Sequence, residues 1–144
     1  MADPAVTNPE DRELAILLGD AHTIAVVGAS SKPSRPSYQI AAYLQDHGYR
    51  IVPVNPKETE VLGEQTYPSL RDIPDDVGID VVDVFRRAED TPEVARDAVA
   101  IGAKVLWLQE GIVSDDAYRI ASEAGLDVIM GVCIRATRRR VLGD

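Results

Sequence analysis

A single cysteine, Cys133, in 144 residues excludes an internal disulfide and a thiolate zinc site, each of which needs several. Lysine is nearly as scarce, with Lys32, Lys57 and Lys104 the full complement. Arginine does not redress the balance: 15 bases face 24 acids, for a net charge of −9. A nucleic-acid partner, which needs a surplus of cations over a whole face, is therefore not expected. Nor is there an apolar run approaching the roughly 20 residues that cross a bilayer. At the N-terminus, Met1-Ala2-Asp3-Pro4 places an acid and a proline where a secretory leader needs basic and then apolar residues. The expectation is a cytoplasmic protein with no membrane partner.

What is present suits one hydrophobic core. The chain is 45% apolar and 27% charged, ordinary for a globular domain of this length. Short β-branched runs recur at Ile24–Val27, Ile51–Val54, Ile79–Phe85, Lys104–Leu108 and Val128–Met130. They are apolar without period-two alternation, the pattern of parallel strands covered on both faces. Between them, helix signals appear: Pro36 early and Gly48 late, Thr91-Pro92-Glu93 with Gly102, and Ser114-Asp115-Asp116 with Gly125. The stretch from Lys57 to Asp76 is broken by Gly63, Pro68 and Pro74 and is expected to be loop with a helical turn near Ser69-Leu70-Arg71.

These signals predict an α/β fold: a Rossmann-like, doubly wound, five-stranded, mainly parallel sheet with helices on both faces. An antiparallel α+β fold is the alternative. Residues 21–144 would form this domain. Residues 1–20 would be an N-terminal extension with a short helix, since Leu14, Leu17 and Leu18 fall at helical spacing. That apolar helix and the acidic surface allow a monomer or a homodimer.

Ligands of such folds bind outside the carboxyl ends of the strands, which sorts the polar residues. Past strand ends come Gly28-Ala29-Ser30-Ser31-Lys32, Asn55-Pro56-Lys57, Arg86-Arg87, Gln109-Glu110-Gly111 and Gly131-Val132-Cys133. His22 and His47 precede strands and belong to the opposite rim, against a histidine-based site. In the first loop Gly28 permits a tight turn, and the helix from Pro36 offers its N-terminal amides to an anion. Ser30, Lys32, Arg35 and Ser37 add donors and charge. Phosphate is the natural guest, although Ser30 and Pro33 stand where the G-x-G-x-x-G fingerprint has its later glycines. An ordinary polar turn is the alternative. At the second strand end, Pro53-Val54-Asn55-Pro56-Lys57 lacks the carboxylate that holds the ribose diol in NAD-binding domains. Lys57 there favours a ribose bearing a further phosphate, as in coenzyme A or NADP, unless it is a plain surface lysine.

The chain resembles the CoA-binding domain proteins, which are similar to the N-terminal domain of the succinyl-CoA synthetase α subunit. The likeness runs from about Thr23 to Asp144. It is carried by Val26-Val27-Gly28-Ala29-Ser30-Ser31-Lys32-Pro33-Ser34-Arg35-Pro36-Ser37, His47-Gly48-Tyr49 and Val52-Pro53-Val54-Asn55-Pro56. Tyr67-Pro68-Ser69-Leu70, Asp72-Ile73-Pro74, Val81-Val82-Asp83-Val84-Phe85 and Gly102-Ala103-Lys104-Val105-Leu106-Trp107-Leu108-Gln109 extend it. The resemblance implies that residues 21–144 bind coenzyme A, with its pyrophosphate near Gly28–Ser30 and Pro36-Ser37. Adenosine and 3′-phosphate would lie near Pro53–Lys57 and Val84–Arg86. The implied binding set is Gly28, Ala29, Ser30, Lys32, Arg35, Pro36, Ser37, Pro53, Asn55, Pro56, Lys57, Val84, Phe85, Arg86, Gln109 and Cys133.

Near the C-terminus the chain departs from the pattern. Gly131-Val132 precede the cysteine where similar proteins have Asn or Asp and then Arg, and Thr137 stands in place of a glutamate. Cys133 is either a buried small residue or faces the CoA thiol, where Arg135 and Arg138–Arg140 would favour its thiolate and allow a mixed disulfide. The basic run is alternatively a solvated helix face.

The leading functional expectation is a non-catalytic binder of coenzyme A or acyl-CoA, acting as carrier, sensor or redox-linked partner of the CoA thiol. No catalytic residue and no metal ligand is expected. The competing expectation, a small NADP-dependent oxidoreductase, needs a proton donor and a substrate pocket, for which the ligand rim offers only Asp83, Glu110 and Cys133. A detached piece of an acyl-CoA synthetase would lack a phosphorylatable histidine on that rim and an ATP-binding domain.

Overall fold

The computed structural model describes residues 7–144. Its main elements run α1 (Asp11–Asp20), β1 (Thr23–Val27), α2 (Pro36–Asp46), β2 (Arg50–Val54), β3 (Glu60–Val61), β4 (Glu64–Gln65) and β5 (Val81–Val84). Then follow α3 (Thr91–Ala100), β6 (Val105–Glu110), α4 (Asp115–Glu123), β7 (Asp127–Gly131) and α5 (Ile134–Leu142). Each of the five β-branched runs is a strand of one sheet, in the order β2-β1-β5-β6-β7 and parallel at every pairing. Burial on both faces explains why these strands read as unbroken apolar runs.

Alternate residues of each strand feed two layers. Ile24, Val26, Ile51, Val81, Val105, Trp107 and Ile129 meet α1, α2 and α5. Ala25, Val27, Val82, Val84, Leu106 and Leu108 meet α3 and α4. Helix α1 is part of the first layer: Leu14 and Leu18, four apart, are buried, while Ile16 on the opposite side is exposed. Arg138 of α5 donates from Nε to the Tyr49 hydroxyl (3.0 Å), which itself donates to the Leu18 carbonyl (2.5 Å), linking α5, the start of β2 and α1. Arg140 grips the Asp11 carboxylate at 3.1 and 3.0 Å.

No helix joins β2 to β5. The broken stretch after Lys57 contains the β3–β4 hairpin, too short for any periodicity to reveal, and a 3-10 turn at Leu70–Asp72 beside the expected position. Tyr67 lies along the outer edge of β2, donating to the Pro53 carbonyl (3.1 Å) and accepting from Asn55 N–H (2.9 Å). Leu70 and Ile73 then fill the second layer in place of a crossover helix. At the other edge, the Asn8 side chain donates to the Met130 carbonyl and accepts from Met130 N–H, both at 2.9 Å. Among the described residues, no helix is long and apolar enough to cross a membrane.

The strand order reverses at β1. The chain leaves β1 for β2 on one side and returns as β5 on the other, so the loops after β1 and β5 diverge and leave a crevice at their carboxyl ends.

Candidate functional site

Gly28 sits at the floor of that crevice. Its N–H donates to the Val54 carbonyl (2.9 Å), while Phe85 N–H donates to Val27 (2.8 Å), so three strand ends are drawn together. Gly28 has φ +88°, and a Cβ there would lie 2.8 Å from the Phe85 carbonyl oxygen. Only glycine fits both the left-handed backbone and the close approach.

The loop beyond is braced at several points. Lys32 N–H donates to Ser30 Oγ (3.1 Å) and Arg35 N–H to the Lys32 carbonyl (3.0 Å). Helix α2 opens at Pro36, whose missing N–H costs nothing at a first helical position. Asn55 joins this loop to the one after β2: its Nδ2 donates to the Ala29 carbonyl (2.7 Å), and its Oδ1 accepts from Lys57 N–H (2.9 Å). The cleft between the two loops has a volume of about 530 Å³. Gly28, Ser30, Lys32, Arg35, Pro36, Ser37, Asn55, Lys57 and Phe85, all expected ligand contacts, line it together with Glu58.

Glu58 was not anticipated. One carboxylate oxygen accepts from Ser31 Oγ at 3.0 Å and the other from Ser31 N–H. The Ser31 hydroxyl, then the Ser31 amide and the Lys32 charge, hold its carboxyl below the ordinary range against the effect of burial. In a chain with 24 acids, a glutamate in a loop carries no signal. Its role depends on the turn at Asn55, which brings it back over a loop 27 residues earlier.

The remaining expected contacts lie outside the cleft. Pro56 and Arg86 line a neighbouring hollow of about 190 Å³ that also holds Asp90, Glu93 and Asp97, and Arg86 pairs with Asp90 at 3.3 Å. Pro53, Val84 and Ala29 are buried, so their side chains serve the sheet and loop packing. Gln109 is also buried, its Oε1 accepting from Ile134 N–H (3.0 Å) at the start of α5. Cys133 is half-buried at that same helix start and packs against the first layer. Buried Thr137 donates its hydroxyl to the Cys133 carbonyl (2.9 Å).

Two expectations about charged groups need correcting. Three of the four arginines placed around Cys133 are engaged elsewhere: Arg138 with Tyr49 and Tyr43, Arg139 over the Tyr43 ring at 4.9 Å, and Arg140 with Asp11. They brace α5 against α1 and α2. Asp83, expected on the ligand rim, is instead fully enclosed in β5, in register between Val26 and Trp107. Neither of its carboxylate oxygens has a hydrogen-bond partner, and burial pushes its pKa well above the ordinary carboxylate range. The histidines do lie away from the cleft. His22 precedes β1, and His47 Nδ1 is 2.7 Å from the Tyr43 carbonyl oxygen at the end of α2.

A family model described as CoA binding domain matches residues 22–138. The uncharacterized protein YneT of Bacillus subtilis (strain 168) is 43% identical over 128 residues, covering 89% of this chain and 93% of that protein. The acetate–CoA ligase (ADP-forming) II of Archaeoglobus fulgidus is 36% identical over 84 residues, 57% of this chain but 12% of the ligase. Among solved structures, a hypothetical protein from Pyrococcus horikoshii OT3 superposes with a TM-score of 0.89 at 39% identity, covering 99% of this chain and 97% of that one.

Proposed function

This chain belongs to the CoA binding domain family, and on that premise we propose that it binds coenzyme A, free or acylated, in the cleft between the loops after β1 and β2. The observation that carries the reading is a convergence of charge. In a chain of net charge −9, Lys32, Arg35 and Lys57 all line one cleft at the point where the strand order reverses. The pyrophosphate lies against the Gly28–Lys32 loop and the start of α2, where a short turn and helix amides suit an anion. Lys57 takes the 3′-phosphate. Arg86, already paired with Asp90, contributes less.

The protein acts as a binding module without chemistry of its own. In support, Asp83 is sealed inside the sheet and out of a substrate's reach. The ligase named above is several times longer than the stretch it shares with this chain, and its activity is a property of that whole protein.

Thermal unfolding with coenzyme A, 3′-dephospho-CoA, NADP and NAD tests the reading. A ligand that binds only the folded state at a hundred times its dissociation constant adds about 2.7 kcal/mol. The expected result is a large upward shift with coenzyme A and a smaller one with the dephospho form. A shift with NADP and none with coenzyme A overturns it.

A further inference from the structure

We propose that Glu58 is a built-in competitor that sets the affinity of the cleft: its carboxylate occupies the Ser31 donor pair that a ligand phosphate would take, so a ligand binds only by displacing it. The inference rests on the phosphate-binding reading above.

The geometry is that of an anion held by its receptor. Ser31 N–H and Ser31 O–H each donate to a different oxygen of one carboxylate, the arrangement in which an amide and a hydroxyl hold two oxygens of a phosphate. Lys32 is adjacent in the chain and lines the same cleft as Glu58. A phosphate cannot share these donors with a carboxylate, because each donor bond would be divided between two negative charges. The free cleft is thus partly neutralised from within.

Binding is then an exchange. A ligand loses repulsion only by moving Glu58 aside, and it recovers that cost through its contacts with Lys32, Arg35 and Lys57. A ligand with one phosphate recovers little, whereas coenzyme A presents a pyrophosphate and a 3′-phosphate to all three bases. The displacement cost is common to every ligand, so Glu58 lowers all affinities by one factor, and only a ligand with several phosphate contacts stays bound at low concentration. Glu58 is not the sole tie between the two loops: the Asn55 bond to the Ala29 carbonyl (2.7 Å) also joins them and uses neither Ser31 nor Glu58.

The experiment is calorimetric titration of wild type, Glu58→Ala and Glu58→Gln with coenzyme A, 3′-dephospho-CoA and AMP at fixed ionic strength. The Ser31 amide resonance is followed alongside. Glu58→Ala should tighten AMP and coenzyme A binding by a similar factor, roughly tenfold, leaving their ratio unchanged. Glu58→Gln, which keeps the bulk and loses the charge, should give part of that gain. The Ser31 amide should move in the ligand-free variants, and it should move when coenzyme A is added to wild type. Coenzyme A binding that is unchanged or weakened in both variants overturns the proposal while leaving the coenzyme A reading intact. Failure of all three proteins to bind coenzyme A overturns that reading and the proposal with it.

Discussion

Replacing Asp83 by asparagine should change how stability depends on pH, in a direction set by the burial of its carboxyl. An ionised carboxylate without partners is very costly inside a sheet, so the folded protein holds Asp83 protonated. In the unfolded chain the same group ionises near pH 4. Above that pH the folded state binds one proton more than the unfolded state, and the slope of stability against pH is negative. The Asp83 contribution is whole below about pH 4 and is lost as pH rises toward the elevated folded pKa, by about 1.4 kcal/mol per pH unit. Asparagine removes this term, exchanging one unpaired neutral group for another, so the two proteins should be close in stability where Asp83 is protonated in both states. Urea unfolding of both proteins at pH 4, 5, 6 and 7 isolates the effect, because all other titrating groups cancel in the difference. The variant should gain on the wild type as pH rises above about 4, at up to about 1.4 kcal/mol per pH unit below the elevated folded pKa. Parallel curves would mean that Asp83 is ionised in the folded state and that the reasoning is wrong.

Gly28→Ala should lose about 1–2 kcal/mol from the left-handed backbone alone, more from the contact with the Phe85 carbonyl, and with it the coenzyme A thermal shift. Lys57→Ala should weaken coenzyme A severalfold in calorimetry and leave 3′-dephospho-CoA nearly unchanged, erasing the preference between them. Arg138→Ala should lower the urea midpoint by an amount equivalent to about 1 kcal/mol, since it unlinks α5 from Tyr49 and Tyr43. Coenzyme A affinity should not change, because none of the three lines the cleft.

Much of the fold was legible because double-sided burial writes itself into composition. Val26, Val82 and Leu106 have no polar alternatives when both faces of their strands are covered. The cleft was legible for a related reason: the strand-end rule needs only the order of strands and loops, and it brought Gly28, Lys32, Arg35, Asn55 and Lys57 to one place. Asp83 was misplaced because it lies one residue short of the end of β5, and that single residue separates the rim from the interior. The hairpin of β3 and β4 was hidden by its two-residue strands. Glu58 and the arginines of α5 stayed illegible because their partners, Ser31, Tyr43, Tyr49 and Asp11, are distant in sequence, and nothing local distinguishes a braced arginine from a solvated one.

The paired bonds between Asn8 and Met130 bear on how the edge of this sheet meets another chain. The outer side of a terminal strand is a template for any other chain that can offer an amide and a carbonyl at the right spacing. Asn8 offers one of each from a side chain, and so behaves there as a strand one residue long that has no further edge to pass on. With Tyr67 doing the same office from its backbone beside β2, the sheet is stoppered at both sides near its ligand end, and growth by addition of a neighbour's strand must begin elsewhere or first dislodge these two residues.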